Sequence, residues 1–261
     1  VAIIITTSLL SAAGGAPAPI QIVVTGLATG QEYTVQGSYG NYRWPVPGGI
    51  NVSDGNQLVL TDNRAPFNGP LVYTVTVDGV VYQAAPIELV FTATTVVQSL
   101  DGKTLAVVEV TDPTDPRESE HRASKFTISR RSDPVFRIDV PLTPQMELGV
   151  EADGTHSDAM KALLATGHPL VRRNTVGLRD IPPVELLIVY SDKSRLIGAV
   201  GTLRLFTLDA QVIGDPEPGT ALAAFDWDDF DAAYVLSDWD DFDAAWSGFD
   251  WDDFDKHDWG V

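Results

Sequence analysis

Residues 71–83, LVYTVTVDGVVYQ, decide how the first part of the chain reads. Asp78-Gly79 sits between two β-rich runs, 71–77 and 80–83. A two-residue hairpin loop needs residues that tolerate positive φ at both central positions, and Asp-Gly meets that need. The stretch therefore predicts a tight β-hairpin. Working outward, 20–24 is a β-branched run ending at Thr25-Gly26, and 32–36 alternates before the turn-rich 37–41. Residues 57–60 follow Ser53-Asp54-Gly55-Asn56, a turn signal, and 87–92 supplies another strand. The apolar opening, 2–10, lacks a basic flank and is too short to span a bilayer, so it reads as a first strand. Neither a targeting signal nor a membrane insertion is expected. Six or seven short strands in about 90 residues predict an immunoglobulin- or fibronectin-like β-sandwich over 1–91, with Tyr33, Trp44 and Tyr73 in its aromatic core.

Residues 92–214 read as a second β domain. Asp101-Gly102 turns into a strand at 104–110, and 111–120 is a charged surface loop with two Asp-Pro pairs. Residues 125–129 and 135–140 suggest a strand pair. One helix is expected near 157–164, capped by Ser157 or Asp158, with Ala159, Met160, Leu163 and Leu164 on its apolar face. Gly167 and Pro169 stop it. Extended structure resumes at 170–172. Strands at 184–190 and 202–212 follow, separated by the polar, glycine-containing 191–201. The fold class is all-β: a sandwich, then an antiparallel domain with one short helix, either a barrel or a curved sheet.

Residues 215–261 change character. They hold 15 of the 36 acidic residues, five of the six Trp and a single base, Lys256. Of the net charge of -19, this tail carries -14, which leaves -5 on 1–214. FDWDDFD occurs at 225–231 and 249–255, and DWDDFD at 238–243, so Trp227, Trp239 and Trp251 stand 12 residues apart. Acidic solubilising tails are usually poor in aromatics. Aromatic groups repeated among carboxylates instead suit anchors that a partner covers, and Trp227, Phe230, Trp239, Phe242, Trp251 and Phe254 are the candidate partner-binding residues. Each unit has helical aromatic spacing, but a 12-residue period rotates the face by roughly 120° per repeat. Three short helices or anchoring turns, each ordered on contact, fit better than one long helix.

The acidity disfavours nucleic acid and anionic membranes. No cysteine is present, which removes disulfides and thiol chemistry. Asp226, Asp228 and Asp231 resemble an oxygen ligand set, yet the glycine and closing Glu of a calcium loop are missing. His121, His156, His168 and His257 are scattered, and Ser8, Ser124 and Ser157 lie in no nucleophile elbow. Gly14-Gly15 and Gly48-Gly49 lack the Lys-Ser/Thr of a phosphate loop. No catalytic residue, metal or cofactor is expected, and the chain does not read as an enzyme. A rival role is an adhesin or carbohydrate-binding module, with Tyr39, Tyr42 and Trp44 as a stacking platform toward a host-surface glycan.

Residues 158–218 resemble something known. A helix ends in Leu163-Leu164-Ala165-Thr166-Gly167-His168-Pro169-Leu170-Val171-Arg172, an apolar strand follows at 184–190, and Leu203-Arg204-Leu205-Phe206-Thr207-Leu208 closes the domain before Asp215-Pro216. This arrangement resembles minor tail proteins of long-tailed bacteriophages that infect actinobacteria. The resemblance implies a virion component near the tail tip or baseplate, a homo-oligomer (ring or trimer) that contacts other tail proteins. The WDDFD repeats are not part of that family pattern, and the resemblance carries over no catalytic position.

Overall fold

A computed structural model of the chain describes residues 2–11, 16–111, 116–118, 143–175, 181–197 and 201–216, and the backbone of 123–126 and 135–138. These residues form a mostly all-β protein with one short helix. They gather into two compact units, built on Val1–Thr92 and on Ala93–Val176 with Val184–Pro216.

The first unit contains β1 (Ile4–Leu9), β2 (Ile20–Thr25), β3 (Glu32–Tyr39), β4 (Tyr42–Val52), β5 (Leu58–Asp62), β6 (Pro70–Val77), β7 (Val80–Gln83) and β8 (Ile87–Glu88). One antiparallel sheet has the order β1-β2-β5, and the other β4-β3-β6-β7, with β8 beside the start of β6. The 71–83 hairpin pairs Thr74 with Gln83 through Val77 with Val80. At its turn Asp78 has φ 49° and Gly79 φ 78°, the two positive values that the dipeptide tolerates. Burial alternates along each strand: Ile20, Ile22 and Val24 on β2, Tyr33 and Val35 on β3, and Leu71, Tyr73, Val75 and Val77 on β6 are buried. That period of two gives each sheet one apolar face to bury.

The structure narrows the turn-rich 37–41 to its last two residues. β3 continues to Tyr39, a turn follows at Gly40-Asn41, and β4 runs from Tyr42 to Val52. Pro45, Pro47, Gly48 and Gly49 hide this strand in the sequence. Proline is tolerated because β4 is the edge of its sheet, and the register shifts between Thr34 and Gln36. A bulge there, with Gly48 at φ 71°, absorbs the residues that cannot join a ladder.

The second unit contains β9 (Thr95–Ser99), β10 (Leu105–Val110), β11 (Arg117–Glu118), β12 (Ala123–Phe126), β13 (Val135–Ile138), β14 (Gln145–Ala152), α1 (Gly154–Thr166), β15 (Leu170–Asn174), β16 (Val184–Leu196) and β17 (Arg204–Ile213). β10-β9-β15-β16-β17-β14 form an antiparallel sheet, and β10 pairs with β14, so six strands close into a barrel. β11 adds to β14, and β12 pairs with β13 separately. The seam consists of Glu109 opposite Glu151 and Val110 opposite Val150, extended by Thr111 N–H donating to the Gly149 carbonyl at 2.9 Å. A Cβ at Gly149 would collide with Thr111 Oγ1, so any other residue there needs Thr111 to move.

Met146, Leu148, Val150 and Ala152 of β14 face Phe206, Leu208 and Ala210 of β17 in the barrel core. Met160 and Leu163 of α1 enter the same core. Asp153 caps α1 by accepting from Gly154 N–H, and Thr202 Oγ1 donates to the same carboxylate. Gly167 ends the helix in the left-handed region at φ 64°. Four features depart from the sequence reading. The helix starts at Gly154 with Asp153 as its cap, so Ser157 and Asp158, expected as caps, lie inside it. β9 and β14 were not expected as strands, and β16 continues through Leu196 into the stretch read as a loop.

Candidate functional site

Trp227, Phe230, Trp239, Phe242, Trp251 and Phe254 lie outside the described residues, as do the expected tail helices or turns. Tyr39, Tyr42 and Trp44 come together around the turn that joins β3 to β4, where Tyr39 is opposite Tyr42. Trp44 is turned inward and only 7% exposed. Its indole lies over Gly37, where a Cβ would overlap the ring. It stacks on Tyr42 with centroids 5.5 Å apart and meets Tyr73 edge-on at 6.1 Å. Tyr39 covers Gly69, whose Cβ would stand 2.6 Å from the phenol ring.

Asp62, at the end of β5, ties these aromatics across the two sheets. Trp44 Nε1 and Tyr73 Oη each donate to its Oδ2 at 2.8 Å, and Arg64 N–H donates to Oδ1 at 2.8 Å. Asp62 has no solvent exposure, so these donors replace its lost hydration. An indole held in this way packs the core and has no free face to stack on a ligand. Toward the other end of β3, burial pushes the Tyr33 phenol above its ordinary value, and the Asp54 carboxylate adds to the shift.

The barrel is polar at one end. α1 lies between the end of β14 and the start of β15, and the registers place Thr95, Asn174 and Glu185 at the opposite end. There Arg117 makes a two-pronged contact with Glu185, at 2.6 Å and 2.9 Å. Arg172, with no exposed surface, places Nη1 3.6 Å from Glu185 Oε2 and donates from Nε to Asn174 Oδ1 at 3.2 Å. Thr95 Oγ1 donates to that same oxygen. The cluster links β9, β11, β15 and β16 by charge-assisted bonds, which are the stronger kind in a region of low dielectric. Their geometry fastens the barrel mouth.

On the outer face of the barrel, Glu147 lies directly opposite Asp209 and Glu109 opposite Glu151. Like charges at opposed positions destabilise a sheet. A trough of about 640 Å³ runs over this face, with Glu118, Glu147 and Asp209 beside Thr111, Thr207 and Tyr190. Ser191 Oγ donates to Asp209 and Tyr190 Oη to Gln211. Among the described residues no three His, Asp or Glu side chains are grouped to hold a metal ion.

β16 is open to solvent over its second half. Its first residues pair with β15, but no described strand pairs with its outer edge beyond Leu187. A bulge at Val189–Ser191 marks that departure. From Tyr190 to Leu196 every residue is exposed while still bonded to β17 on the other side. The sequence signal for this edge was the long register of 204–213, which needs a partner strand longer than 184–190. Comparisons with protein families, curated proteins and solved structures found no match for the chain.

Proposed function

We propose that the chain is a structural component of a bacteriophage tail, at the tail tip or baseplate, that joins other tail proteins through its β units and through the repeated anchors of its acidic tail. The observation that carries this reading is the 12-residue spacing of Trp227, Trp239 and Trp251, each followed by Asp-Asp-Phe-Asp. Repeated anchors on one tether raise the effective concentration of each next contact, so modest sites sum to strong avidity. A symmetric particle, where one groove recurs, is where such a tether gains most. The resemblance of residues 158–218 to minor tail proteins supports the same assignment.

The strand orders agree with it. β1-β2-β5 and β4-β3-β6-β7 follow the A-B-E and C′-C-F-G arrangement of immunoglobulin- and fibronectin-like sandwiches, which serve widely as surface modules. The edge of β16 that no described strand pairs with supports assembly, because exposed N–H and C=O groups are a template for another strand. Asp192, Lys193 and Arg195 on that edge restrict which strand can add. The test is calorimetric titration of the full chain against the other proteins of its assembly. Trp227→Ala, Trp239→Ala and Trp251→Ala should each cost about 2 kcal/mol or more of binding. Unchanged affinity in all three would remove the tail from the interface and the main support from this reading.

A further inference from the structure

A cleft in the first unit is unused by the assembly reading. β1 ends one sheet and β7 ends the other, and the two strands lie against each other. Beside them opens a cleft of about 510 Å³, within the roughly 300–1,000 Å³ of small-molecule sites. Its lining includes Thr25, Leu27, Gln31, Asn56, Gln57 and Tyr82, with no Lys, Arg or His. We propose that this cleft binds a neutral saccharide, held by the amides of Gln31, Asn56 and Gln57 against the ring of Tyr82.

The chemistry follows from what each group has left to offer. Gln31 accepts from Ala28 N–H at 3.0 Å and donates to Asp78 at 2.7 Å. An amide has two N–H groups and two lone pairs, so Gln31 is fixed in orientation and still keeps one of each. Asn56 is placed in the same way, its backbone and Nδ2 both donating to Asp54 at 2.9 Å and 3.2 Å. Gln57 and Tyr82 make no side-chain hydrogen bond among the described residues, although both are half-buried. A polyol needs donors and acceptors in equal supply, which amides provide and ionised groups do not. Leu27, buried at the floor, and the Tyr82 ring give the apolar surface that the C–H face of a sugar covers.

Charge selects among sugars. With no cation in the lining and Asp54 and Asp78 holding its amides, the cleft repels sialylated and sulfated glycans. These residues are distinct from Tyr39, Tyr42 and Trp44. The inference therefore stands apart from both the stacking platform and the tail anchors.

The full chain is tested on immobilised neutral, sialylated and sulfated oligosaccharides, and the strongest neutral binder is then titrated in solution. Neutral sugars should bind and charged ones should not. Gln57→Ala, which removes no side-chain hydrogen bond among the described residues, should weaken binding by about tenfold while the thermal midpoint stays unchanged. Tyr82→Ala should abolish binding, and Tyr82→Phe should keep most of it, because the ring and not the hydroxyl makes the stack. Gln36→Ala, on an exposed position of β3, should bind as the parent does. The proposal fails if no neutral oligosaccharide binds, if only charged ones do, or if binding survives both Gln57→Ala and Tyr82→Ala. A short uncharged peptide that binds equally well to the same residues would also overturn it in favour of backbone recognition.

Discussion

Asp62 accepts hydrogen bonds from two aromatic side chains that the sequence separates by 29 positions, Trp44 and Tyr73. Asp62→Ala would remove the acceptor that a buried indole N–H and a buried phenol O–H share, and each such loss costs about 1–3 kcal/mol. Urea unfolding should show a loss of about 3 kcal/mol. A loss below about 0.5 kcal/mol would mean that water replaces the carboxylate and that the tie is dispensable. Tyr33 gives a pH-dependent prediction. Its folded pKa lies above the ordinary 10.0, mainly through burial and then through Asp54. The neutral phenol therefore favours the folded state: this contribution is fully present below the unfolded pKa and is lost as pH rises through the folded one. Stability measured at rising alkaline pH should fall less steeply in Tyr33→Phe than in the parent, and equal slopes would refute the assignment. Sequence reasoning identified Tyr33, Trp44 and Tyr73 as core aromatics because large aromatic residues in β-rich segments seek burial. It did not single out Asp62, since a buried acceptor is recognisable only once its donors are in place.

The barrel seam is the element most exposed to a single change. Only Glu109–Glu151 and Val110–Val150 pair β10 with β14, and Thr111 continues the contact over Gly149. Gly149→Val puts a branched side chain where Thr111 Oγ1 stands, so strand or side chain must move, at a cost of about 1–3 kcal/mol. Amide hydrogen exchange should accelerate first at Thr111. Protection unchanged there would show that the seam yields without opening. The like-charged Glu109–Glu151 pair weakens the same seam, so its closure depends on the side of the strands that carries the half-buried Val110 and the buried Val150 and Phe206. β14 was legible in principle: QMELGVEA places Met146, Leu148, Val150 and Ala152 on one face and the Glu residues on the other. Gly149 breaks the look of a strand, and its role is visible only beside Thr111. β4 was obscured in a similar way by Pro45, Pro47, Gly48 and Gly49, which an edge strand with a bulge accommodates. The hairpin at Asp78-Gly79 and the helix ended by Gly167 were readable because their signals are local. The β10–β14 closure joins residues about 40 apart, and no local pattern encodes it.

At the scale of the whole chain, charge and open surface are divided between segments. The tail from Asp215 onward carries -14 of the total -19, and the mildly acidic body exposes an edge of β16 that no described strand pairs with. Self-repulsion among so many carboxylates opposes association of one tail with another, whereas a strand edge of mixed charge favours pairing between bodies. The bodies, and not the tails, should therefore set the copy number. Light scattering during size exclusion compares the full chain with a form ending at Gly214. The expected outcome is the same ring or trimer for both, with the tail left to recruit other proteins. Raising the salt concentration should change this copy number little, since strand pairing rests on backbone hydrogen bonds, while it should weaken capture of a basic partner by the tail. A multimer found only in the full chain would reverse the assignment and make the WDDFD repeats an internal clasp, with each aromatic anchor seated on a neighbouring copy. Monomers in both forms would deny self-assembly to either segment and count against the tail-tip reading, because a symmetric hub must associate with its own copies.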